Sequence, residues 1–389
     1  MEFVPISTSR ETPAVLFDQT PASLEALLAE HGERAFRVRQ VLDWVYRRSC
    51  ASFEEMSDLS SGLRSWLTDR MVLYESRVAT ERRSTDGTHK LLLRWADGQT
   101  TECVLIPDGP RRTACVSTQV GCPVGCVFCA SGLDGVRRNL TAGQIVEQAM
   151  RLARRVATAP GPLIGEGRPR AVEPAGRPLS AARLTNVVFM GLGEPLANYD
   201  ATVAAVRTMN ANWGMGIGAR KITVSTVGLP KQMRQLADER LQINLALSVH
   251  AASDDLRAEL IPWARAIPLA ELVDACRYYF DRTHREVTLE YLLLGGVNDQ
   301  PGHARALARL AKQMRSNVNL IRYNPVSGLG YERPTAAAAE SFQRLLRAAG
   351  VNTHLRKSRG RDIDAACGQL RRQTETGWAG AAGVMARTT

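Results

Sequence analysis

Cys122, Cys126 and Cys129 stand in the run VSTQVGCPVGCVFCASG with CxxxCxxC spacing, directly after the apolar stretch TACVST at 113–118. Three thiolates on one short loop can hold three irons of a [4Fe-4S] cluster and leave the fourth iron open to a small chelating ligand. Gly121, Gly125 and Gly132 let the backbone wrap closely, and Phe128 is placed to keep water away. A structural zinc site is the competing reading. It needs a fourth ligand and usually takes CxxC pairs in twos. No second pair exists, so Cys103 or Cys115 would have to be recruited. Two more thiols draw notice. Cys115 lies within the strand-like run, on the same face as Ser117. Cys367 sits in RKSRGRDIDAACGQL, where Arg356, Lys357, Arg359 and Arg361 predict a lowered pKa and a good nucleophile. Cys50 and Cys276 fall in helical patterns and read as small buried hydrophobes.

Such groups need a scaffold, and the apolar rhythm describes one. Runs at 113–118, 186–191, 221–226, 243–249, 287–294 and 318–324 alternate with helix-patterned stretches, which predicts parallel βα units. Six units are too few for a closed eight-fold barrel, so the expected α/β fold is an open, partial (βα)6 barrel. Polar residues end several of these strands, where such barrels collect their active sites: Gly193 and Glu194 in LGEPLAN, Ser225, Ser248, His250 and Asn324. The Glu194 carboxylate and the backbone at Gly193 suit an ammonium group. Ser225, Ser248 and Asn324 suit a carboxylate, a ribose or an adenine edge. His250 reads equally as a base or as a hydrogen-bonded structural histidine.

The barrel is expected over 113–370, with a Pro-, Gly- and Arg-rich insertion at 157–183. Before it come a loose lead-in (1–20), a helical accessory domain (21–80) and a β extension (81–112) that contains KLLLRW and ECVLIP. A disordered tail, 371–389, follows. In the second accessory helix, Arg37, Arg39, Arg47 and Arg48 accompany Trp44 and Tyr46. This mixture suits RNA phosphates and stacking, although Trp44 fits an amphipathic core better.

A formal net charge of +11 and a pI near 9.6 favour an anionic partner, with nucleic acid the best fit. No apolar run is long enough for a membrane span, and the start lacks a secretory pattern. A cytoplasmic, monomeric protein without membrane contact is expected. In that reducing setting the eight cysteines predict metal or redox chemistry rather than structural disulfides.

The cysteine loop resembles that of the radical S-adenosylmethionine superfamily. Adding GLGEPLAN, LALSVHA, RYNPV and DIDAACGQL, the chain resembles the RlmN/Cfr family of RNA adenine methyltransferases from about Phe36 to Leu370. The resemblance implies a [4Fe-4S] cluster on Cys122, Cys126 and Cys129, and S-adenosylmethionine bound by Gly193, Glu194, Ser225, Ser248, Val249, His250 and Asn324. It makes Cys367 the methyl carrier and Cys115 the cysteine that resolves a covalent RNA adduct through a Cys115–Cys367 disulfide. Glu102 becomes a general base; as a residue by itself it reads as an exposed carboxylate on the β extension.

The implied reaction methylates an adenine ring carbon, C2 first, of large-subunit ribosomal RNA, with transfer RNA as a second substrate. It consumes two S-adenosylmethionines per turnover and draws electrons from a flavodoxin or ferredoxin. Methylation at C8 or another RNA position is the alternative. More distant alternatives are a zinc-stabilised RNA-binding protein without catalysis and a radical enzyme acting on a glycyl site or small molecule. Family members commonly continue past the last cluster cysteine with a Gln-x-Gly-Phe run, whereas this chain has Leu133, Asp134 and Val136.

Overall fold

The structure, a computed structural model, describes residues 13–158 and 183–371. Residues 1–12 of the expected lead-in, most of the insertion expected at 157–183 and all but Arg371 of the tail lie outside the described residues. The end of the lead-in is not loose. β1 (Ala14–Val15) pairs in parallel with β2 (Met71–Val72), and Leu16 and Phe17 between them are buried. A pair of adjacent apolar side chains is too short to show periodicity, yet it anchors the chain once a distant strand supplies the partner.

Between β1 and β2 the leucine and valine spacing folds as three helices. α1 (Pro21–Glu30) starts with proline at its first turn and a capping box. There the Ser23 amide donates to Thr20 Oγ1 at 3.1 Å and the Thr20 amide donates to Ser23 Oγ at 2.9 Å. α2 (Phe36–Tyr46) turns Val38, Val41, Leu42 and Val45 inward, and α3 (Ser61–Arg70) adds Leu63 and Leu67. Tyr46 is buried with this face. Trp44 packs against the core with its ring nitrogen donating to Asp58, and Arg48 lies 4.2 Å over its ring. Arg37 pairs with Glu33 and Arg47 with Asp43, one turn away in each case, so much of this helix's positive charge is already matched.

Next, β3 (Arg77–Arg83), β4 (His89–Arg94), β5 (Thr100–Asp108) and β6 (Arg111–Cys115) run antiparallel. β7 (Gln119–Gly121) and β8 (Val136–Asn139) form a separate hairpin around the cysteine loop. The chain then alternates α4 (Ala142–Thr158), β9 (Asn186–Phe189), α5 (Tyr199–Asn210), β10 (Ile222–Thr226), α6 (Pro230–Asp238) and β11 (Asn244–Ser248). α7 (Asp254–Leu260), α8 (Leu269–Thr283), β12 (Val287–Leu293), α9 (Pro301–Ala311), β13 (Ser316–Arg322), α10 (Ala336–Ala348) and β14 (Thr353–Arg356) complete it.

All ten main strands join one sheet in the order β14-β13-β12-β11-β10-β9-β6-β5-β4-β3, parallel from β14 through to β6. The six expected parallel strands are present, and β14 adds a seventh. Its four residues, Thr-His-Leu-Arg, carry too little apolar signal to be read as a strand and pair only because β13 offers an open edge. β3 was missed for the same reason, being an alternately exposed and half-buried edge strand.

Along β12, Val287, Leu289, Tyr291 and Leu293 pack into the main core, while Glu290 and Leu292 face the opposite way and border a cavity. This alternation sets polar groups on the inside of a sheet whose outer face is sealed by helices.

Candidate active site

The cavity lies inside the parallel strands. Cys122, Cys126, Cys129 and Phe128 line one part of it, Gly193, Glu194, Ser225, Ser248 and His250 another, and Glu290, Cys367 and Gly368 a third. One space therefore joins the three loop cysteines to a distant cysteine and to most of the polar strand ends singled out in the sequence.

The cysteine loop is tightly wound. Gly121 has φ +82°, and a Cβ there would lie 1.9 Å from the Gly135 carbonyl oxygen; at Gly132 a Cβ would stand 3.0 Å from the Gly125 Cα. The Cys122 amide donates to that same Gly135 oxygen at 3.2 Å. Burial pushes the Cys122 thiol up to about 12, and burial together with the charges of Cys129 and Cys122 holds Cys126 well above the ordinary thiol range. Thiols raised by burial in this way become thiolates when a cation is bound among them. No three His, Cys, Asp or Glu side chains among the described residues converge on the position of a single ion. A four-iron cluster asks for one thiolate per iron, with the sulfurs spread around a cube. The donor set, three sulfurs on a glycine-rich loop, fits such a cluster.

At the end of β9, Gly193 adopts φ +105°, and a Cβ would come within 2.7 Å of Thr118 Oγ1. Only glycine tolerates that turn. Glu194 is buried; its Oε1 accepts from the Leu196 amide at 2.9 Å and its Oε2 from the Val227 amide at 2.8 Å. Burial nevertheless raises its carboxyl to about 7. Ser225 and Ser248 hydroxyls stand 3.3 Å apart on neighbouring strands.

His250 has φ +54°, and its Nδ1 accepts from the Leu292 amide at 3.1 Å. Burial, reinforced by Arg257, lowers it to about 3. It is thus a neutral, structurally tied imidazole with Nε2 left as the donor, packed edge-on to Phe128 at 5.1 Å. Val249 is fully buried and does not border the cavity. Asn324 also lies off the cavity wall. Its Nδ2 donates to the Cys367 carbonyl at 3.4 Å, while Arg333 donates to its Oδ1 at 2.7 Å.

Cys367 lines the cavity, and the segment that carries it is strapped on both flanks. The Ala130 amide donates to Gly368 O at 2.8 Å, and Ser131 Oγ donates to Leu370 O at 2.7 Å, binding it to the cysteine loop. Lys90 Nζ donates to Asp364 O at 3.0 Å, and Ser84 Oγ to Asp362 at 2.6 Å, binding it to the β extension.

The expected lowering of its thiol pKa does not occur. Burial raises it, against a smaller pull from Arg356. The basic run is already engaged: Arg359 pairs with Asp108 at 2.7 Å and Arg356 with Glu290 at 3.8 Å. Cys115 is buried among Val104, Leu192, Ile363, Ala365 and Leu370, beneath this segment. Burial pushes its thiol up to about 12, with the Cys367 charge adding to the effect. All eight cysteines are free thiols.

Glu102 on β5 corrects its reading as an exposed carboxylate. It is fully buried, away from the cavity wall, with Oε1 2.9 Å from the equally buried Lys90 Nζ and Oε2 accepting from the Arg371 amide at 2.9 Å. The Lys90–Glu102 pair thereby grips both ends of the Cys367 segment, at Asp364 and at Arg371. Among the cavity residues, sequence reasoning passed over Glu290. A lone carboxylate in the middle of the apolar run VTLEYLLL was the available signal.

A chain with this sheet and this cavity has clear relatives. A crystal structure of a radical SAM methyltransferase from Sphaerobacter thermophilus matches it with a TM-score of 0.84 and 44% identity, covering 92% of this chain and 99% of that one. The dual-specificity RNA methyltransferase RlmN of Anaeromyxobacter dehalogenans is 45% identical over 363 residues, 92% of this chain and 93% of that protein. The chain belongs to the RlmN family of radical S-adenosylmethionine RNA methyltransferases. A Rhodopirellula baltica protein named "Probable dual-specificity RNA methyltransferase RlmN" is also 45% identical, covering 90% of this chain and 88% of its own. Residues 15–73 match the family described as the ribosomal RNA large subunit methyltransferase N-terminal domain. That match begins at Val15, in agreement with the ordered β1. Family membership sets aside the non-catalytic zinc protein. Among the described residues no helix is long and apolar enough to cross a membrane.

Proposed function

We propose that this enzyme methylates C2 of an adenine in large-subunit ribosomal RNA, and of transfer RNA as well, using Cys367 as the methyl carrier. The observation that carries the reading is that Cys367 opens into the cavity lined by the three loop cysteines and by Gly193 and Glu194. An sp2 carbon of adenine has no nucleophilic lone pair, so a methyl group must reach it by radical addition.

Cys122, Cys126 and Cys129 would hold the cluster, which when bound supplies the electron that cleaves S-adenosylmethionine to a carbon radical. Gly193, Glu194, Ser225, Ser248 and His250 would orient that co-substrate. Val249 would contribute its backbone, and Asn324 would act through the Cys367 backbone. The Cys367 thiolate takes a methyl group from one S-adenosylmethionine by displacement. The methyl group on Cys367 would then lose a hydrogen atom to the radical formed from a second S-adenosylmethionine, which leaves as 5'-deoxyadenosine, and the remaining methylene would bond to the adenine carbon and join it to Cys367. Cys115, packed beneath the Cys367 segment, is suited to resolving this adduct by disulfide formation, with a small electron-transfer protein restoring both thiols. Glu102, tied to Lys90 and Arg371, is suited to holding the Cys367 segment more than to accepting a proton from substrate. The target base must leave its stack to enter the cavity, and the net charge of +11 suits an RNA partner in the cytoplasm.

Nucleoside mass spectrometry of ribosomal and transfer RNA from a deletion strain and complemented strains tests this. 2-Methyladenosine should disappear on deletion and return with the wild type but not with Cys367→Ala. Appearance of 8-methyladenosine instead, or full methylation by Cys367→Ala, would overturn it.

A further inference from the structure

Glu290 is a buried carboxylate with an unused oxygen. It points from β12 into the cavity. Its Oε1 accepts from Asn319 Nδ2 at 3.0 Å and lies 3.8 Å from Arg356. Its Oε2 is buried and has no hydrogen-bond partner among the described residues. An unsatisfied acceptor so deep in a protein is costly, and it is tolerated where a ligand completes it. The other cavity carboxylate, Glu194, already has both oxygens occupied by backbone amides.

Position says which ligand. Gly193 and Glu194, at the end of β9, stand three strands from β12 in the sheet order; Ser248 on β11 is in register with Glu290, but its hydroxyl stands 3.3 Å from Ser225 and leaves Glu290 Oε2 unpartnered among the described residues. Arg356, the partner of Glu290, ends β14, from which the chain runs directly to Cys367. The Cys367 thiol also feels the charges of both Arg356 and Glu290. Groups beside Cys367 are beside the atom that must receive its methyl group.

We propose that Glu290 Oε2 accepts a hydrogen bond from the exocyclic amine of the target adenine. This rests on the adenine reading above. Guanine presents a carbonyl oxygen at the matching ring position, so acceptor would meet acceptor and the base would be rejected. Asn319 and Arg356 hold the carboxylate in place from the other side. Glu290 would thus select the base without taking part in the carbon chemistry.

The test uses full-length, cluster-loaded enzyme and two synthetic RNA hairpins. One carries the adenosine identified by nucleoside analysis, and the other carries purine riboside, which lacks only the amine, at that position. For the wild type, kcat/KM should fall roughly ten- to a hundredfold on the amine-free RNA, the loss expected for a hydrogen bond to a charged acceptor. Glu290→Ala should methylate both hairpins at about the same low rate, and Glu290→Gln, which keeps a neutral acceptor, should retain an intermediate preference. The S-adenosylmethionine dissociation constant without RNA should be unchanged in both variants.

Equal wild-type turnover on the two hairpins overturns the proposal, and that result needs no variant to fold. So does a Glu290→Ala enzyme that keeps the wild-type preference, or one whose loss appears as weaker S-adenosylmethionine binding. Absence of methylation on the adenosine hairpin itself overturns the adenine reading instead, and the contact with it.

Discussion

The two sulfur sites that line the cavity are built on opposite principles. The loop with Cys122, Cys126 and Cys129 is local. Three cysteines fall within eight residues, and the glycines that let the loop close are in the same stretch, so its geometry is written by near neighbours in sequence. The segment with Cys367 has no regular element of its own beyond the short turn at Arg361–Ile363. It is held by Ser84, Lys90, Glu102, Ala130, Ser131 and Asn324, all far away along the chain. A metal-cluster loop must survive as a preformed cradle. On the proposed reading, a cysteine that takes a methyl group, joins a base and is then released is better placed on a strap whose ties are many and individually modest.

The sharpest way to break the contrast is to remove one ligand from the local site. Cys126→Ala should lose bound iron, S-adenosylmethionine cleavage and methylation together; iron analysis and product assay check this. Cys367→Ala should instead keep its iron and still form 5'-deoxyadenosine while methyl transfer falls to background. A variant lacking both activities would show that the two sites are not separable.

The strap can be tested through the buried Lys90–Glu102 pair. Lys90→Met strands the Glu102 carboxylate and should cost on the order of 3–5 kcal/mol in urea unfolding. Hydrogen exchange should rise selectively over 359–371 while the cysteine loop stays protected. Equal loosening of both regions would contradict the assignment of this pair to the strap.

His250 supplies a pH probe. Its folded pKa, about 3, lies below the value near 6.5 that it has when exposed. The unfolded chain therefore binds the extra proton first, and stability falls as pH drops from about 6.5 towards 3. Urea titrations at several pH values should show part of that slope vanish in His250→Asn. The smallest effect belongs to Asp134→Ala, which removes the half-exposed pair with Arg371. No more than about 1 kcal/mol is expected, because Glu102 still holds the Arg371 backbone amide.

Legibility followed the same division. The cysteine loop, the six strands and the polar strand ends at Gly193, Glu194, Ser225, Ser248 and His250 were readable because periodicity and spacing are local properties. β14, β3 and the ordered Ala14–Asp18 segment were not, since each is a weak strand or turn stabilised by a partner distant in sequence. The basic run around Cys367 suggested a lowered thiol pKa, but spacing does not show that Arg356 and Arg359 face Glu290 and Asp108.

The sequence by itself determined that this chain has a three-thiol loop on an α/β partial barrel, and which strand ends open beside it. The family resemblance already implied that Cys367 works with that loop; only the tertiary structure decided how its segment is strapped beside it, that Glu102 is a buried tie rather than an exposed carboxylate, and that Glu290 aims a free oxygen inward. Those outcomes depend on which charges meet and what is shut off from water. Burial and partner choice come from contacts between residues far apart in the chain, and no local pattern encodes them.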